Sequence, residues 1–376
     1  MLNSFSSVQL DYIRLWFLVQ HSLSSFRKIQ SHYASLAEAL QSNQLPVWQN
    51  LGIHKNHLQR FQDSNTEIEQ QKFQLCLKQI EQSSDFILID IDAAYPPQLL
   101  PYTDRPPILF GQGNPDTLLQ PQVAIVGSRK PSPHGRQVAY DFAYYLSEQG
   151  FYINSGLAQG IDEAAHQAAL KHQRTIAVMG TGLEQTYPTQ HQSLRQDILS
   201  NGGAVITEFL PNTPPLQHHF PRRNRIVSGL SLGVIVAEAT LKSGSLITAK
   251  IAADQGKTVF AIPGHIYGEF HQGCHQLIRE GAILIDHPQQ VIEDLALPTQ
   301  WQAAAAQPQK VEKPQETLPV PEHLQGLYQI LDWNGQTLDR LALNIQLNTA
   351  ELTSQLMELE LLGLAQQQAG CYLRCR

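Results

Sequence analysis

Val123-Ala124-Ile125-Val126-Gly127-Ser128-Arg129 is a short apolar run that ends in a glycine, a hydroxyl and a guanidinium. A run of this length suits a buried strand, and glycine at its end lets the backbone turn closely into whatever follows. The same alternation recurs downstream. A helical pattern runs to Gln149, then Phe151–Asn154 reads as a strand, followed by a helix to His172. Thr175–Met179, a helix to Asn201 and Ala204–Thr207 come next, then Gly233–Ala237, a helix from Ser245, Thr258–Ile262, a helix near His275–Glu280 and Ala282–Ile285. Apolar strands alternating with helices predict a doubly wound α/β domain, its parallel sheet covered on both faces.

Outward from this block the pattern changes. Through Leu10–Val19 and Phe26–Leu40 apolar residues recur at three and four, with glutamine and lysine between them, which predicts helices. Tyr95-Pro96-Pro97 through Pro106-Pro107-Ile108-Leu109-Phe110 is proline-punctuated and predicts an extended lead-in to the sheet. Pro298–Pro321, an alanine run followed by a segment rich in Pro, Gln and Glu, reads as a linker. Beyond it, Leu324–Leu331, Leu338–Leu343 and Ala350–Leu361 are three short helical patterns, and the stretches Gly363–Ala365 and Gly370–Leu373 are two strands about a glycine turn, a winged-helix-like unit. The expected division is therefore a helical domain over 1–90, an α/β domain over 91–297, a linker over 298–321 and the winged unit over 322–376.

The 376 residues carry 26 Lys and Arg against 33 Asp and Glu, a net charge of −7, which excludes a nucleic-acid binder that is basic throughout. The deficit is uneven: residues 1–120 hold 8 basic and 11 acidic groups, residues 121–297 hold 13 and 14, and residues 298–376 hold 5 and 8. The α/β block is thus nearly neutral between two acidic flanks. Four cysteines without a CxxC pair argue against a disulfide framework, and Cys371 and Cys375 read as free thiols. No window reaches the roughly 18 apolar residues of a membrane span, and the N-terminus lacks the features of a signal peptide. A cytoplasmic protein is expected.

In an open parallel sheet, ligands sit beyond the carboxyl ends of the strands, where helix N-termini favour anions. The residues just after each strand are therefore the candidates. Gly127, Ser128, Arg129 and Lys130 follow the first strand, and Ser155 and Gly156 the second. Asp162 and His166 fall one helical turn apart; a helix N-cap is the preferred reading of Asp162, with acid–base chemistry the alternative. In Phe220-Pro221-Arg222-Arg223-Asn224-Arg225, three arginines follow an aromatic ring, and Phe220, Arg222, Arg223, Asn224 and Arg225 together suit a nucleic-acid strand, with base on ring and phosphate on guanidinium. Lys242, Ser243, Gly244 and Lys250 complete the set. The first loop is not GxGxxG and no acidic residue closes the second strand, so a nicotinamide cofactor is disfavoured. His265, His271, Cys274 and His275 lack the spacing of a zinc motif, so no metal and no cofactor is expected.

These segments, in this order, resemble the DNA-processing protein A family (DprA/Smf): Val123–Arg129, Ser155-Gly156-Leu157-Ala158 with Gly160-Ile161-Asp162, Phe220–Ile226, Ser243-Gly244-Ser245 and Ala261-Ile262-Pro263-Gly264. The resemblance implies an extended Rossmann-like central domain, a helical N-terminus like a sterile alpha motif, and a C-terminal winged helix. It also implies a dimer that binds and protects incoming single-stranded DNA in natural transformation and loads the RecA recombinase, without a catalytic residue. Gln159 departs from the family pattern, which has arginine there. A nucleotide-processing enzyme of the phosphoribohydrolase kind, with Glu238 as its carboxylate, is the alternative; its Pro-Gly-Gly-x-Gly-Thr run is absent, and Met179-Gly180-Thr181-Gly182 imitates it only in part. The last helical pattern carries Glu351, Glu358 and Glu360 and no basic residue, so the winged unit is expected to meet a protein partner and not DNA.

Overall fold

A computed structural model of the chain describes residues 5–295, 320–332, 335–345, 347–368 and 371–374. The expected linker lies outside the described residues except for its last two positions, as does Cys375. Six helices open the described chain: α1 (Ser7–Leu18), α2 (Leu23–His32), α3 (Leu36–Ala39), α4 (Leu45–Asn50), α5 (Lys55–Asp63) and α6 (Glu67–Ser83). Ser6, Ser22, Ser35 and Thr66 start four of them, each hydroxyl accepting from a backbone N–H three residues on.

The sheet follows, with β1 (Phe86–Ile89), β2 (Ile108–Gly113), β3 (Gln122–Gly127), β4 (Tyr152–Ser155), β5 (Thr175–Val178), β6 (Ala204–Thr207), β7 (Gly233–Glu238), β8 (Thr258–Ala261) and β9 (Ile283–Leu284). Its order is β1-β2-β6-β5-β4-β3-β7-β8-β9. Pairing is parallel from β6 to β9, while β1 and β2 add an antiparallel edge. The stretch 106–110 is therefore more than a lead-in. The prolines at 96, 97, 106 and 107 sit between β1 and β2, where no ladder donor is lost, and leave both strands intact. β1 lies on the N-terminal side of the division expected at residue 90.

The intervening helices are α7 (Pro133–Glu148), α8 (Ile161–Ala169), α9 (Gln192–Ser200), α10 (His219–Leu230), α11 (Ser245–Asp254), α12 (Gln272–Arg279) and α13 (Pro288–Asp294). In the C-terminal segment α14 (Gln325–Ile330), β10 (Gln336–Thr337), α15 (Leu338–Asn344), α16 (Thr349–Leu361), β11 (Ala365–Gln368) and β12 (Cys371–Arg374) form a winged helix with strand order β10-β12-β11 around Leu327, Leu352, Leu356 and Leu359. β10 is too short to leave a periodic signal in the sequence.

The N-terminal helices share one apolar core with a face of the sheet: Trp16, Phe26, Ile29 and Trp48 join Ile87, Phe110, Ala177 and Val205. Two carboxylates are buried here, and the first pins the two parts together. Asp90 receives Arg27 at 2.5 Å, Arg105 at 3.4 Å and the Tyr12 hydroxyl at 3.0 Å. Glu208, fully buried at the end of β6, receives Arg222 and Arg225. The strand order reverses between β3 and β7, where the register also shifts at Val126/Gly127. That reversal opens the crevice in which open α/β sheets bind ligands.

Candidate nucleic-acid interface

A cavity of about 670 Å³ lies at this switch point, lined by the loops after β3, β4 and β7 and by one side of α10. Of the residues expected from sequence, Gly127, Ser128, Arg129, Lys130, Gly156, Phe220, Arg223, Asn224, Lys242, Ser243 and Gly244 line it. Arg129, Lys130 and Lys242 are exposed, and among the described residues none has an ion-pair partner. The Arg129 guanidinium stands 5.5 Å from the centre of the Phe220 ring, a cation–π distance. The Tyr187 ring is 5.3 Å from Phe220 at 42°, so two aromatic rings flank one entrance.

The loops are held by backbone contacts that leave their side chains free to meet a ligand. Ser128 donates its N–H to the Glu238 carbonyl at 2.8 Å and accepts from Ile161 N–H at 3.2 Å, which ties the first loop to the start of α8. Gly160, the residue before α8, has φ +83°, and a Cβ there would lie 2.5 Å from the Ser128 oxygen. Glycine is required on both counts. Asp162 is not the helix N-cap: it sits one residue inside α8 and reaches back, Oδ2 accepting from Gly156 N–H at 3.0 Å and Ala158 N–H at 3.3 Å. Nor does it pair with His166, whose Nδ1 lies 2.6 Å from the Thr175 hydroxyl.

The floor of the cavity is Arg223. It is 5% exposed and donates Nη1 to the Val178 carbonyl at 2.5 Å, while its buried Nε has no hydrogen-bond partner. Burial lowers its pKa to about 10, with Asp162 opposing the shift, so it stays charged at neutral pH. Burial in turn raises the Asp162 carboxyl, against the pull of Arg223. The two are opposite charges buried beneath an open basic rim, each bonded to backbone, Arg223 to the Val178 carbonyl and Asp162 to the Gly156 and Ala158 N–H groups.

Four expected residues lie elsewhere. Arg222 and Arg225 turn to the opposite side of α10 and clamp Glu208, because helical spacing places Phe220, Arg223 and Asn224 on one face and Arg222 and Arg225 on another. Ser155 is fully buried and donates to the Ile125 carbonyl at 2.7 Å. Lys250 is too far along α11 to reach the helix start and lines a separate groove with Leu246, Gln276 and Ile283. Glu238, the carboxylate of the enzymatic alternative, points away from the cavity; it accepts from Ser132 N–H at 2.9 Å and from the Ser132 hydroxyl at 2.5 Å, capping the approach to α7. Among the described residues, His265, His271, Cys274 and His275 form no metal-binding group. Gln159 borders a small recess of about 50 Å³ beside Tyr187, Phe220 and Arg223. Tyr187 and Thr240, which the strand-end reading does not single out, also line the main cavity; Tyr187 follows Met179-Gly180-Thr181-Gly182 in the loop after β5.

A family model described as DNA recombination-mediator protein A matches residues 86–296, and one described as the DprA winged helix domain matches residues 311–371. Protein Smf of Escherichia coli is 39% identical over 333 residues, which cover 88% of this chain and 87% of that protein. DNA processing protein DprA of Streptococcus pneumoniae is 48% identical over 205 residues, covering 54% of this chain and 72% of the relative. The X-ray structure of DNA processing protein A from Streptococcus pneumoniae resembles the chain with a TM-score of 0.66 and 35% identity, over 77% of this chain and 99% of that one. A structure of DNA processing protein A from Helicobacter pylori, described for its single-stranded DNA binding mode, has a TM-score of 0.51 and 32% identity over 55% of this chain and 94% of that one. No helix among the described residues is long and apolar enough to cross a membrane.

Proposed function

Because the chain belongs to the DNA recombination-mediator protein A family, we propose that it binds single-stranded DNA at the switch-point cavity, protects the strand and promotes loading of the RecA recombinase onto it during natural transformation, acting as a homodimer and without turnover. One observation carries the binding part of this reading. Three cations without an ion-pair partner among the described residues, Arg129, Lys130 and Lys242, share one cavity with the rings of Phe220 and Tyr187. Cations hold the phosphates of a strand, and a splayed base stacks on an aromatic ring irrespective of its identity. The description of the Helicobacter pylori relative supports the same ligand. The RecA and dimer parts rest on family membership alone.

The binding test is an anisotropy titration of a labelled single strand over a salt series. With about three to five phosphates neutralised, log affinity falls against log salt with a slope of roughly −2 to −3.5, at about −0.7 per phosphate. Salt-independent affinity would overturn the reading. Arg129→Ala reduces the slope by about 0.7, whereas Phe220→Ala leaves the slope unchanged and costs about 1–3 kcal/mol. Duplex competes poorly, because the acidic flanks repel a wide polyanion while the cavity admits one strand. RecA filament nucleation on single-stranded DNA, measured with and without the chain, tests the finer claim; an unchanged nucleation rate argues against it.

A further inference from the structure

α10 has two polar faces, and only one of them lines the cavity. Arg222 donates Nε to Glu208 Oε1 at 3.1 Å, Nη2 to Oε2 at 2.6 Å and Nη1 to the His21 carbonyl at 2.7 Å. Its guanidinium also lies 5.6 Å from the Trp16 ring and 5.2 Å from the Phe209 ring. Trp16 donates Nε1 to the Glu208 carbonyl at 2.8 Å, and His21 Nε2 accepts from Leu210 N–H at 3.3 Å. Arg225 completes the clamp, two nitrogens on Glu208 and Nε on the Asp104 carbonyl at 2.7 Å. Trp16 and His21 belong to the N-terminal helical segment, Glu208 to the end of β6 and the arginines to α10. None of these five residues lines the cavity.

A bidentate fork fixes rotation as well as distance, so two forks on one fully buried carboxylate leave α10 little freedom to roll. Rolling α10 would swing Phe220, Arg223 and Asn224 together. We propose that Trp16, His21, Glu208, Arg222 and Arg225 are positioning residues for the DNA-facing side of α10, so that the N-terminal helices set the geometry of a cavity they do not touch. This inference rests on the single-strand reading of that cavity.

The experiment is titration of a labelled oligothymidylate of about 20 nucleotides with the full chain and its Arg222→Ala and Trp16→Phe variants, over a salt series. Each variant is checked by circular dichroism at the working temperature, and hydrogen exchange is followed along α10. Each folded variant binds roughly 2- to 30-fold more weakly, with the parent's salt slope and with faster exchange confined to α10. A direct phosphate contact by Arg222 would instead reduce the slope by about 0.7, which overturns the proposal. So does parent-like affinity in folded variants. Trp16→Phe alters no charge and carries the test alone if Arg222→Ala does not fold. Failure of the parent chain to bind would remove the single-strand reading itself, whereas parent-like binding by the variants removes only the positioning role.

Discussion

Glu208→Ala lowers the unfolding free energy at pH 7 by about 3–5 kcal/mol, the penalty for removing one partner from a buried ion pair. The wild-type carboxylate is fully buried and shared by two forks, with Arg225 at 2.5 and 2.9 Å and Arg222 at 2.6 and 3.1 Å. Alanine leaves two guanidiniums facing each other across an apolar wall that includes Trp16 and Phe209. Arg225, with a side chain only 8% exposed, cannot recover its hydration, while Arg222 at 25% recovers part. Urea unfolding measures the effect, and a loss below about 1 kcal/mol, the scale of an exposed pair, would show that the clamp adds nothing beyond surface electrostatics.

The same carboxylate gives a signed pH dependence. Burial pushes Glu208 up, but the Arg225 and Arg222 charges outweigh it and hold the folded pKa at about 2, below the ordinary 4.5. A depressed acid contributes stability that is fully present above its unfolded value and is lost as pH falls toward the folded one. Glu208 therefore supports the fold above about pH 5 and withdraws that support between roughly pH 4.5 and 2. Glu208→Gln flattens this part of the acid limb, and an unaltered acid limb would assign the loss to other groups.

The β3-to-β9 alternation was legible because each parallel strand is a short apolar run bounded by glycine or a helix pattern. β1 and β2 are not legible as strands, although β1 is apolar throughout, because the prolines between them mask a pairing of residues 19 to 25 apart in sequence. The strand-end rule located the cavity, since the loops after β3, β4 and β7 converge, but not every residue it named, since Ser155 at the end of β4 is buried beneath it. It failed inside α10, where five residues were read as one cluster. The helical period, 3.6 residues, separates Phe220, Arg223 and Asn224 from Arg222 and Arg225, and applying it to the segment would have divided them. What no period reveals is the occupant of the second face. Glu208 closes β6 with a carboxylate that composition counts among 32 others of its sign, and its side-chain partners, Arg222 and Arg225, lie 14 and 17 residues downstream on α10.

Gly156→Ala weakens single-strand binding nearly as much as Arg223→Ala does, about 10- to 150-fold, the range of one charge-assisted hydrogen bond of roughly 1.5–3 kcal/mol. A Cβ at Gly156 would lie 1.9 Å from Arg223 Nη1, 2.2 Å from Nη2 and 2.3 Å from Cζ. No rotamer adjustment of alanine relieves this, so the guanidinium must leave its slot. On leaving it gives up the Val178 carbonyl, and Asp162 is left buried without its opposing charge. Both substitutions thus empty the same floor, one by deleting the side chain and one by evicting it. Their effects cannot add. The double variant binds as weakly as Arg223→Ala alone, which gives a coupling of about 1.5–3 kcal/mol in the cycle, within the range for residues in contact. Additive losses would mean that Gly156 serves the strand independently, through close backbone approach, and that Arg223 is not what the glycine makes room for.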